Sequence, residues 1–434
     1  NVSVYINNQF IEGLDLEIKN GTTIVNLRQL VEGMGGMVEW TSGFIDMHAN
    51  VKSTYKDKTI MHYILPDSGI SDHKDLLPLK GNYQDPQGYG YEKGGSVKVG
   101  LRAVAEEFGF EVTWDGETQS IRIRDESIPI EYEQYINQLK IAHPNWTFEF
   151  YDAGISLNDY IELQYSHNIP TPKTDIEALK ETDKGIIKSR SMYVLADGER
   201  FFLSTRSAVE FFVNPLNFLN DNNVGYGTND GLGYNDKGIF QFMELGFDSS
   251  YQTLAGVKSM LKGTYFDSDI DNYAKWFFEA SQKNKINPFM LVSKAIVEGG
   301  ANEVPPSLLL TGYNFKGSTV YNFFGIGAGD GNALYGGASH ALNHGWTTPK
   351  KAIDGGAEFV SRFMGTNNGN AAYIQDTYYT LRYNLPGYIN SGQVEHQYAS
   401  NIADAWLKGY LMADDDIMSL LGSQNLKFKI PKFR

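Results

Sequence analysis

The sequence predicts a chain of more than one domain and of α+β class, with a small α+β repeat module followed by a mostly helical one. Three observations carry this: a length of 434 residues, where roughly 150 per domain is usual, an internal repeat near the N-terminus, and a change to helical periodicity from Ile130 onward. In the repeat, Gly21-Thr-Thr-Ile-Val-Asn-Leu-Arg28 realigns with Gly95-Ser-Val-Lys-Val-Gly-Leu-Arg102 at an offset of 74 (95 − 21), and the register holds without a gap to Trp40 and Trp114. Identities fall at Gly21/Gly95, Val25/Val99, Leu27/Leu101, Arg28/Arg102, Glu32/Glu106, Gly35/Gly109, Val38/Val112 and Trp40/Trp114. Each copy reads as a strand, a short helix, a glycine stop and a second strand. The helical stripes are Leu27, Leu30, Val31, Met34 and Leu101, Val104, Ala105, Phe108. Asp115-Gly116 then predicts a turn, and the alternation Ile121-Arg-Ile-Arg124 a closing strand.

These half-repeats resemble the copper amine oxidase N-terminal-like domain, a small α+β module of bacterial exported proteins. Its V-P-L-R segment has its counterparts in Val25-Asn-Leu-Arg28 and Val99-Gly-Leu-Arg102. The resemblance implies one domain over residues 1–125, with a wall-binding or spacer role. No copper site is expected, because His48, His62 and His73 are scattered and no Met or Cys stands with them at ligand spacing. The stretch from Pro66 to Gly95, rich in Gly, Pro, Asp and Tyr, predicts a long loop.

Beyond Ile130, Tyr132, Tyr135, Ile136 and Leu139 recur at helical spacing up to His143-Pro144. A polar stretch over 166–188 reads as a loop, so 126–190 forms a helical and linker lead-in and 191–434 the main helical domain. Helices are predicted over Ser207–Val213, Gly238–Leu245, Thr253–Lys262, Ile270–Lys283, Pro288–Glu298, Pro349–Phe363 and Gln397–Met412.

Composition excludes several classes of function. With 37 Lys+Arg against 52 Asp+Glu the net charge is −15, which opposes binding to a phosphate backbone, so nucleic acid is not an expected partner. The absence of cysteine removes disulfides, thiolate catalysis and cysteine-based metal sites together. No apolar run reaches the roughly 18 residues of a membrane span. The opening Asn1-Val-Ser-Val lacks the basic and apolar regions of a signal peptide, so a soluble chain trimmed from a longer precursor is expected. No cofactor is implied, and the oligomeric state is open.

The segment Asn287-Pro-Phe-Met-Leu-Val-Ser-Lys-Ala-Ile-Val-Glu298-Gly299-Gly300 carries the most chemistry. Asn287 suits an N-cap, Pro288 the first helical position, and the glycine pair a helix stop. Glu298 therefore falls in the last turn of an apolar helix, where the negative end of the helix dipole disfavours an anion and favours the protonated form a general acid needs. The plainer reading is an ion pair with Lys294 one turn earlier, in the weaker orientation. Tyr321-Asn-Phe-Phe-Gly-Ile326 followed by Gly327-Ala-Gly-Asp-Gly331 sets aromatics beside a glycine loop. Sugars stack on aromatic faces and bind amides, so these residues suit a cleft wall, the alternative being a core strand with a turn. His340 and His344 stand four apart without an acidic third ligand, which favours capping or surface roles over a metal. The basic, aromatic end Lys427–Arg434 reads as a docked or solvated terminus, or as a contact for anionic polymer.

A resemblance sharpens these readings. His143-Pro-Asn-Trp146, Asn214-Pro-Leu-Asn-Phe-Leu219, Ile239-Phe-Gln-Phe242, Asn287-Pro288, Glu298, Tyr321–Ile326, Gly345-Trp-Thr-Thr-Pro349, Lys351-Ala-Ile-Asp-Gly-Gly356 and His396-Gln-Tyr-Ala-Ser-Asn401 occur in the order seen in peptidoglycan N-acetylglucosaminidases of glycoside hydrolase family 73. Over about residues 126–415 the chain resembles the autolysin-like branch of that family. The resemblance implies a lysozyme-like α fold and cleavage of the β-1,4 bond after N-acetylglucosamine and before N-acetylmuramic acid. It makes Glu298 the catalytic acid, although the family's Glu-Ser-Gly is Glu-Gly-Gly here. It makes Tyr398 the tyrosine near that acid, and Tyr321, Asn322, Phe323, Phe324 and Gly325 substrate-binding residues. A second carboxylate has two candidates, Asp330 and Glu303, neither anchored by a motif, and substrate assistance by the acetamido group needs none. The implied partner is bacterial wall peptidoglycan and the implied place is outside the cell, on the wall. A muramidase, a lytic transglycosylase, a lysin carried on a phage virion and a non-catalytic glycan binder are the competing readings.

Overall fold

A computed structural model describes residues 2–45, 48–66, 87–166, 170–172, 201–204, 206–219, 238–301, 304–329, 331–362, 375–392, 402–413 and 415–434. The chain divides into two compact units, Asn1–Gln138 and Leu139–Arg434. The first mixes strands with short helices and the second is mostly helical, with the helix Glu133–Ala142 spanning the boundary, which is the α+β class expected from the repeat and the later periodicity.

In the first unit the strands are β1 (Ser3–Ile6), β2 (Gln9–Phe10), β3 (Leu16–Lys19), β4 (Thr22–Asn26), β5 (Met37–Ile45), β6 (His48–Tyr55), β7 (Lys58–Pro66), β8 (Gln87–Lys93), β9 (Ser96–Gly100), β10 (Phe110–Asp115) and β11 (Ser120–Asp125). The helices are α1 (Leu27–Gly33) and α2 (Leu101–Glu107). They form a seven-stranded sheet in the order β3-β4-β9-β8-β7-β6-β5 and a four-stranded sheet in the order β10-β11-β1-β2. The two copies of the repeat meet where β4 and β9 pair antiparallel with Val25 directly opposite Val99. Equivalent residues face each other, so the copies are related by a local two-fold axis at that pair.

The identities between the copies have physical reasons. Gly21 and Gly95 turn at φ +78° and +76°, and Gly35 and Gly109 end the helices at φ +87° and +86°, a region that L side chains adopt only with strain. Val25, Val99, Leu27 and Leu101 are core residues. Arg28 pairs with Glu32 at 3.0 Å and Arg102 with Glu106 at 2.8 Å, each one helical turn apart on an exposed face. Trp40 and Trp114 stand outside the core, 59% and 53% exposed.

Within the expected loop between Pro66 and Gly95, Gln87–Lys93 instead forms β8 between β7 and β9, and residues 67–86 lie outside the described residues. The Gly88-Tyr89-Gly90-Tyr91 alternation has the period of two of a strand. It buries Tyr91, whose hydroxyl donates to Glu17 Oε1 at 2.6 Å. A Cβ at Gly90 would lie 3.1 Å from the Lys98 carbonyl, a close approach that glycine permits.

His62 is buried on β7 with Nε2 2.6 Å from Ser53 Oγ, and its Nδ1 has no hydrogen-bond partner among the described residues. Burial pushes its pKa down from 6.5 to about 4. The unfolded chain therefore takes the proton first as pH falls. The contribution is complete above pH 6.5 and is lost between about pH 6.5 and 4, a fall of about 3 kcal/mol. Hydrogen exchange of β6 and β7 is expected to accelerate over that window, and the His62→Gln variant, which has no imidazole to titrate, to show a smaller change. An equal acceleration in both proteins would assign the effect to other groups.

The second unit is organised around a buried parallel pair of strands, Trp146–Asp152 and Leu426–Lys432. Phe428 lies against Trp146 at 4.9 Å and Phe148 at 5.5 Å between ring centroids. Of the two readings of the basic terminus, docked or solvated, the structure shows the docked one, a strand with Phe428 and Ile430 fully buried. Its lysines face acids: Lys427 pairs with Asp248 at 2.6 Å, and Lys429 with Glu244 at 2.7 Å and Asp376 at 2.5 Å. Burial pushes the Lys429 pKa down, but Asp376 and Glu244 outweigh it and the net direction is up. Burial raises the Asp376 pKa in spite of Lys429.

Around this pair stand helices close to the predicted ones: Arg206–Val213, Leu254–Leu261, Ile270–Asn284, Pro288–Val297, Pro349–Ser361 and Asp404–Met412. The predicted helix over Gly238–Leu245 is a short 3-10 turn, Gly238–Phe242. Most of the predicted polar loop over 166–188, and the first part of the predicted helix at Gln397, lie outside the described residues. Among the described residues no helix is long and apolar enough to cross a membrane.

Candidate functional site

The helix Pro288–Val297 is built as its sequence requires. Asn287, fully buried, accepts from the Phe289 N–H at 2.8 Å and donates through Nδ2 to the Glu244 carbonyl at 2.7 Å. Pro288 occupies the first position, and the apolar face is buried almost throughout. The helix ends on Glu298, its C-cap residue, and Gly300 leaves at φ +69°. Glu298 is 41% exposed and holds Lys294 at 2.8 Å, so the ion pair of the plainer sequence reading is present.

Glu298 also lines an open cleft with Ser293, Lys294, Val297, Tyr378, Lys408 and Met412. Glu298, Ser293, Lys294 and Val297 come from the helix just described and its C-cap. Tyr378 opens the helix Tyr378–Tyr383, whose start is fixed by a reciprocal capping box between Thr377 and Thr380. Just before it, Asp376 is held by Lys429, so the buried C-terminal strand helps place this tyrosine. Lys408 and Met412 come from Asp404–Met412, where Lys408 pairs with Asp404 at 2.8 Å. Burial raises the Tyr378 pKa, and the carboxylates of Glu298 and Asp404 add to it. Ser293 is fully buried, and its hydroxyl has no hydrogen-bond partner among the described residues.

The structure brings some of the sequence-predicted residues to Glu298 and keeps others away. A Cβ at Gly325 would lie 3.7 Å from the Glu298 carbonyl oxygen and 3.8 Å from its Cβ, so Gly325, at φ +63°, sits beside the acid. A Cβ at Gly299 would come 2.5 Å from the Phe323 carbonyl oxygen, which is the close approach that the Glu-Gly-Gly sequence allows here.

Phe323 and Phe324 themselves are core residues, 0% and 2% exposed, rather than cleft walls. Phe323 packs against Phe266 at 5.8 Å between centroids, and Phe324 against Phe277 at 6.5 Å. Asn322 is likewise buried. Its Nδ2 donates to the carbonyls of Ile326 at 2.7 Å and Gly337 at 3.2 Å, and its Oδ1 accepts from the N–H groups of Phe324 at 3.2 Å and Ile326 at 3.3 Å. Its polar atoms are spent shaping the loop that carries Gly325. Tyr321 is half-buried, its hydroxyl end packed near Gly312. Hydrophobic character led the sequence reading toward sugar stacking, whereas packing against the helix Ile270–Asn284 claims both phenylalanine rings. Tyr398, Asp330 and Glu303 lie outside the described residues.

The Phe324 ring rests directly on Gly356, leaving no room for a Cβ. Gly356→Ala is therefore expected to lower stability by about 1–3 kcal/mol through overpacking. Because Phe324 precedes Gly325, it should also lower turnover, and a thermal melt beside an activity assay would read both. Unchanged melting would show that the ring has space to yield.

His340 and His344 stack at 4.0 Å between ring centroids, and His344 Nδ1 lies 2.9 Å from the His340 carbonyl oxygen. Among the described residues no group of three or more His, Asp or Glu is arranged to hold a metal ion.

Sequence reasoning missed Ser293, Tyr378 and Lys408. The only local signal at Tyr378 is Thr377-x-x-Thr380, which marks a helix start and says nothing of what the tyrosine faces.

No protein-family model matches the chain. The chain is 34% identical over 223 residues to the β-N-acetylglucosaminidase of Bacillus subtilis (strain 168), covering 51% of this chain and 22% of that protein. It is 31% identical over 206 residues to a bifunctional autolysin of Staphylococcus epidermidis, covering 46% of this chain and 14% of the relative. The chain thus spans less than a quarter of the length of either relative. Among solved structures it is similar to Staphylococcus aureus glucosaminidase B, at 22% identity over 66% of this chain and 94% of that one, with a TM-score of 0.43. It is also similar to Staphylococcus aureus autolysin E in complex with a muropeptide, at 25% identity over 64% of this chain and 95% of that one, with a TM-score of 0.34.

Proposed function

We propose that this chain is a glycoside hydrolase of peptidoglycan, related to family 73, that cleaves the β-1,4 bond between N-acetylglucosamine and N-acetylmuramic acid with Glu298 as general acid. The observation that carries the reading is a carboxylate at the open end of an otherwise buried helix, beside a glycine-shaped loop and inside a cleft. The relationship to a β-N-acetylglucosaminidase and to autolysins supports the substrate.

In this reading a glycan strand lies in the cleft and Glu298 delivers a proton to the glycosidic oxygen as the C–O bond breaks. Gly325, which has no side chain, leaves space against the acid. Tyr378 lines the cleft beside the sugar. Tyr398 stabilises the developing positive charge or orients the acetamido group, and Asp330 and Glu303 remain the candidates for a second carboxylate.

The test is the chemistry of the new chain ends after digestion of purified walls. N-acetylglucosamine at the reducing end is expected. Reducing-end N-acetylmuramic acid would make the chain a muramidase, and its 1,6-anhydro form a lytic transglycosylase. Residues 1–125 are proposed as the copper amine oxidase N-terminal-like module, acting in wall binding or as a spacer, with exposed Trp40 and Trp114 as support. Secretion to the cell wall is the proposed location, with carriage on a phage virion as the second reading.

A further inference from the structure

The cleft holds its charges in pairs. Lys294 pairs with Glu298 on one helix, and Lys408 with Asp404 on another, each at 2.8 Å. The other side chains lining the cleft are neutral: Ser293, Val297, Tyr378 and Met412. Among the described residues, the helices Leu254–Leu261 and Ile270–Asn284 packed against Pro288–Val297 give the cleft no titratable side chain. Among the described residues, the titratable groups beside Glu298 in the cleft are Lys294, Tyr378 and Lys408, the last paired with Asp404.

This balance conflicts with the task of an acid. An ammonium in contact with a carboxylate favours the anion, yet protonation of a leaving group needs the neutral form. An anionic substrate removes the conflict. Once a substrate carboxylate enters, two cations face three anions, and a proton on Glu298 restores neutrality at the atom where a proton is needed.

We propose that Lys294 is a positioning residue whose ammonium passes from Glu298 to a carboxylate of the glycan substrate, so that substrate binding loads the proton Glu298 later delivers. This rests on the reading of Glu298 as general acid. The balance closes as follows: the ion-paired Glu298 anion, one proton from solvent and the substrate anion become a neutral Glu298 and an ion pair between Lys294 and the substrate. That same proton then goes to the glycosidic oxygen. The substrate class is a glycan with a free carboxylate close to the scissile bond, on the sugar or on its peptide, rather than a neutral glycan.

The test uses the full chain on soluble, uncross-linked peptidoglycan strands, and on the same strands with their carboxyl groups amidated. The profile of kcat/KM against pH reports the free enzyme and that of kcat the complex. With the anionic strands the basic limb of kcat is expected above that of kcat/KM, because Lys294 has left Glu298 in the complex. The gap should close with amidated strands. It should also close in Lys294→Met, whose KM for anionic strands rises about tenfold, and reopen in Lys294→Arg. Coincident limbs in the wild type, or a gap that survives amidation, would overturn the proposal, and both are read on the wild-type protein even if Lys294→Met folds poorly. Glu298→Gln separates the two levels: if it keeps its turnover, the acid assignment itself fails, whereas an inactive Glu298→Gln with no gap in the wild type removes only the transfer of Lys294.

Discussion

Glu298→Gln is expected to lower the turnover of peptidoglycan by about two to four orders of magnitude, equivalent to about 3–5 kcal/mol on the barrier, with almost no change in melting temperature. The two halves of this expectation have separate causes. Glutamine is nearly isosteric and keeps the C-cap backbone bonds of residue 298 to Ala295 and Lys294. It loses a half-exposed ion pair one helical turn long, and such pairs contribute about 0–1 kcal/mol. What it cannot do is donate a labile proton to a departing sugar oxygen. Initial rates of reducing-end release at saturating substrate, beside a thermal melt of the same preparation, decide the matter. A variant that melts normally and turns over within about threefold of wild type would remove Glu298 from the chemistry.

Asn322→Ala should fail in a different way. In the structure this buried amide donates twice and accepts twice within the segment that ends beside Glu298. Truncation would strand two carbonyls and two N–H groups in a site that is 2% exposed. At about 1 kcal/mol for each net hydrogen bond, with a further cost for groups left unpaired, a loss of about 2–4 kcal/mol follows. The melting temperature should fall, hydrogen exchange at residues 323–326 should accelerate, and activity should drop through the displacement of Gly325. An unchanged melt with a raised KM would instead make Asn322 a direct substrate contact, which is the role the resemblance implied.

These two residues show how differently the sequence speaks about a site. Glu298 was legible because its surroundings are local: an Asn-Pro start, a run of apolar residues and a double-glycine stop fix a helix, and a carboxylate at the end of it has no business in the core. The repeat was legible for a similar reason. Left-handed glycines, a helix-turn ion pair and core positions recur at a constant offset, and each depends only on near neighbours along the chain. Phe323, Phe324 and Asn322 were legible as a cluster but not in their roles, since an aromatic ring stacks on a sugar or on another ring with the same chemistry. The partner was chosen by Phe266, Phe277 and Gly356, which are far away in sequence.

What the sequence determined by itself is therefore whatever is set within a few residues: the α+β class, the repeat and its turns, the start and stop of the helix Pro288–Val297, and the pairing of Lys294 with Glu298. The tertiary structure decided which distant groups meet. It folded Gln87–Lys93 into the sheet between β7 and β9, made the basic C-terminus a buried strand whose Lys429 holds Asp376, and set Tyr378 and Lys408 across from Glu298. The physical reason is the same in each case. Helix periodicity, caps and turns arise from backbone geometry that near neighbours along the chain dictate, whereas burial and charge pairing depend on what the rest of the chain brings into contact, and no short segment carries that information.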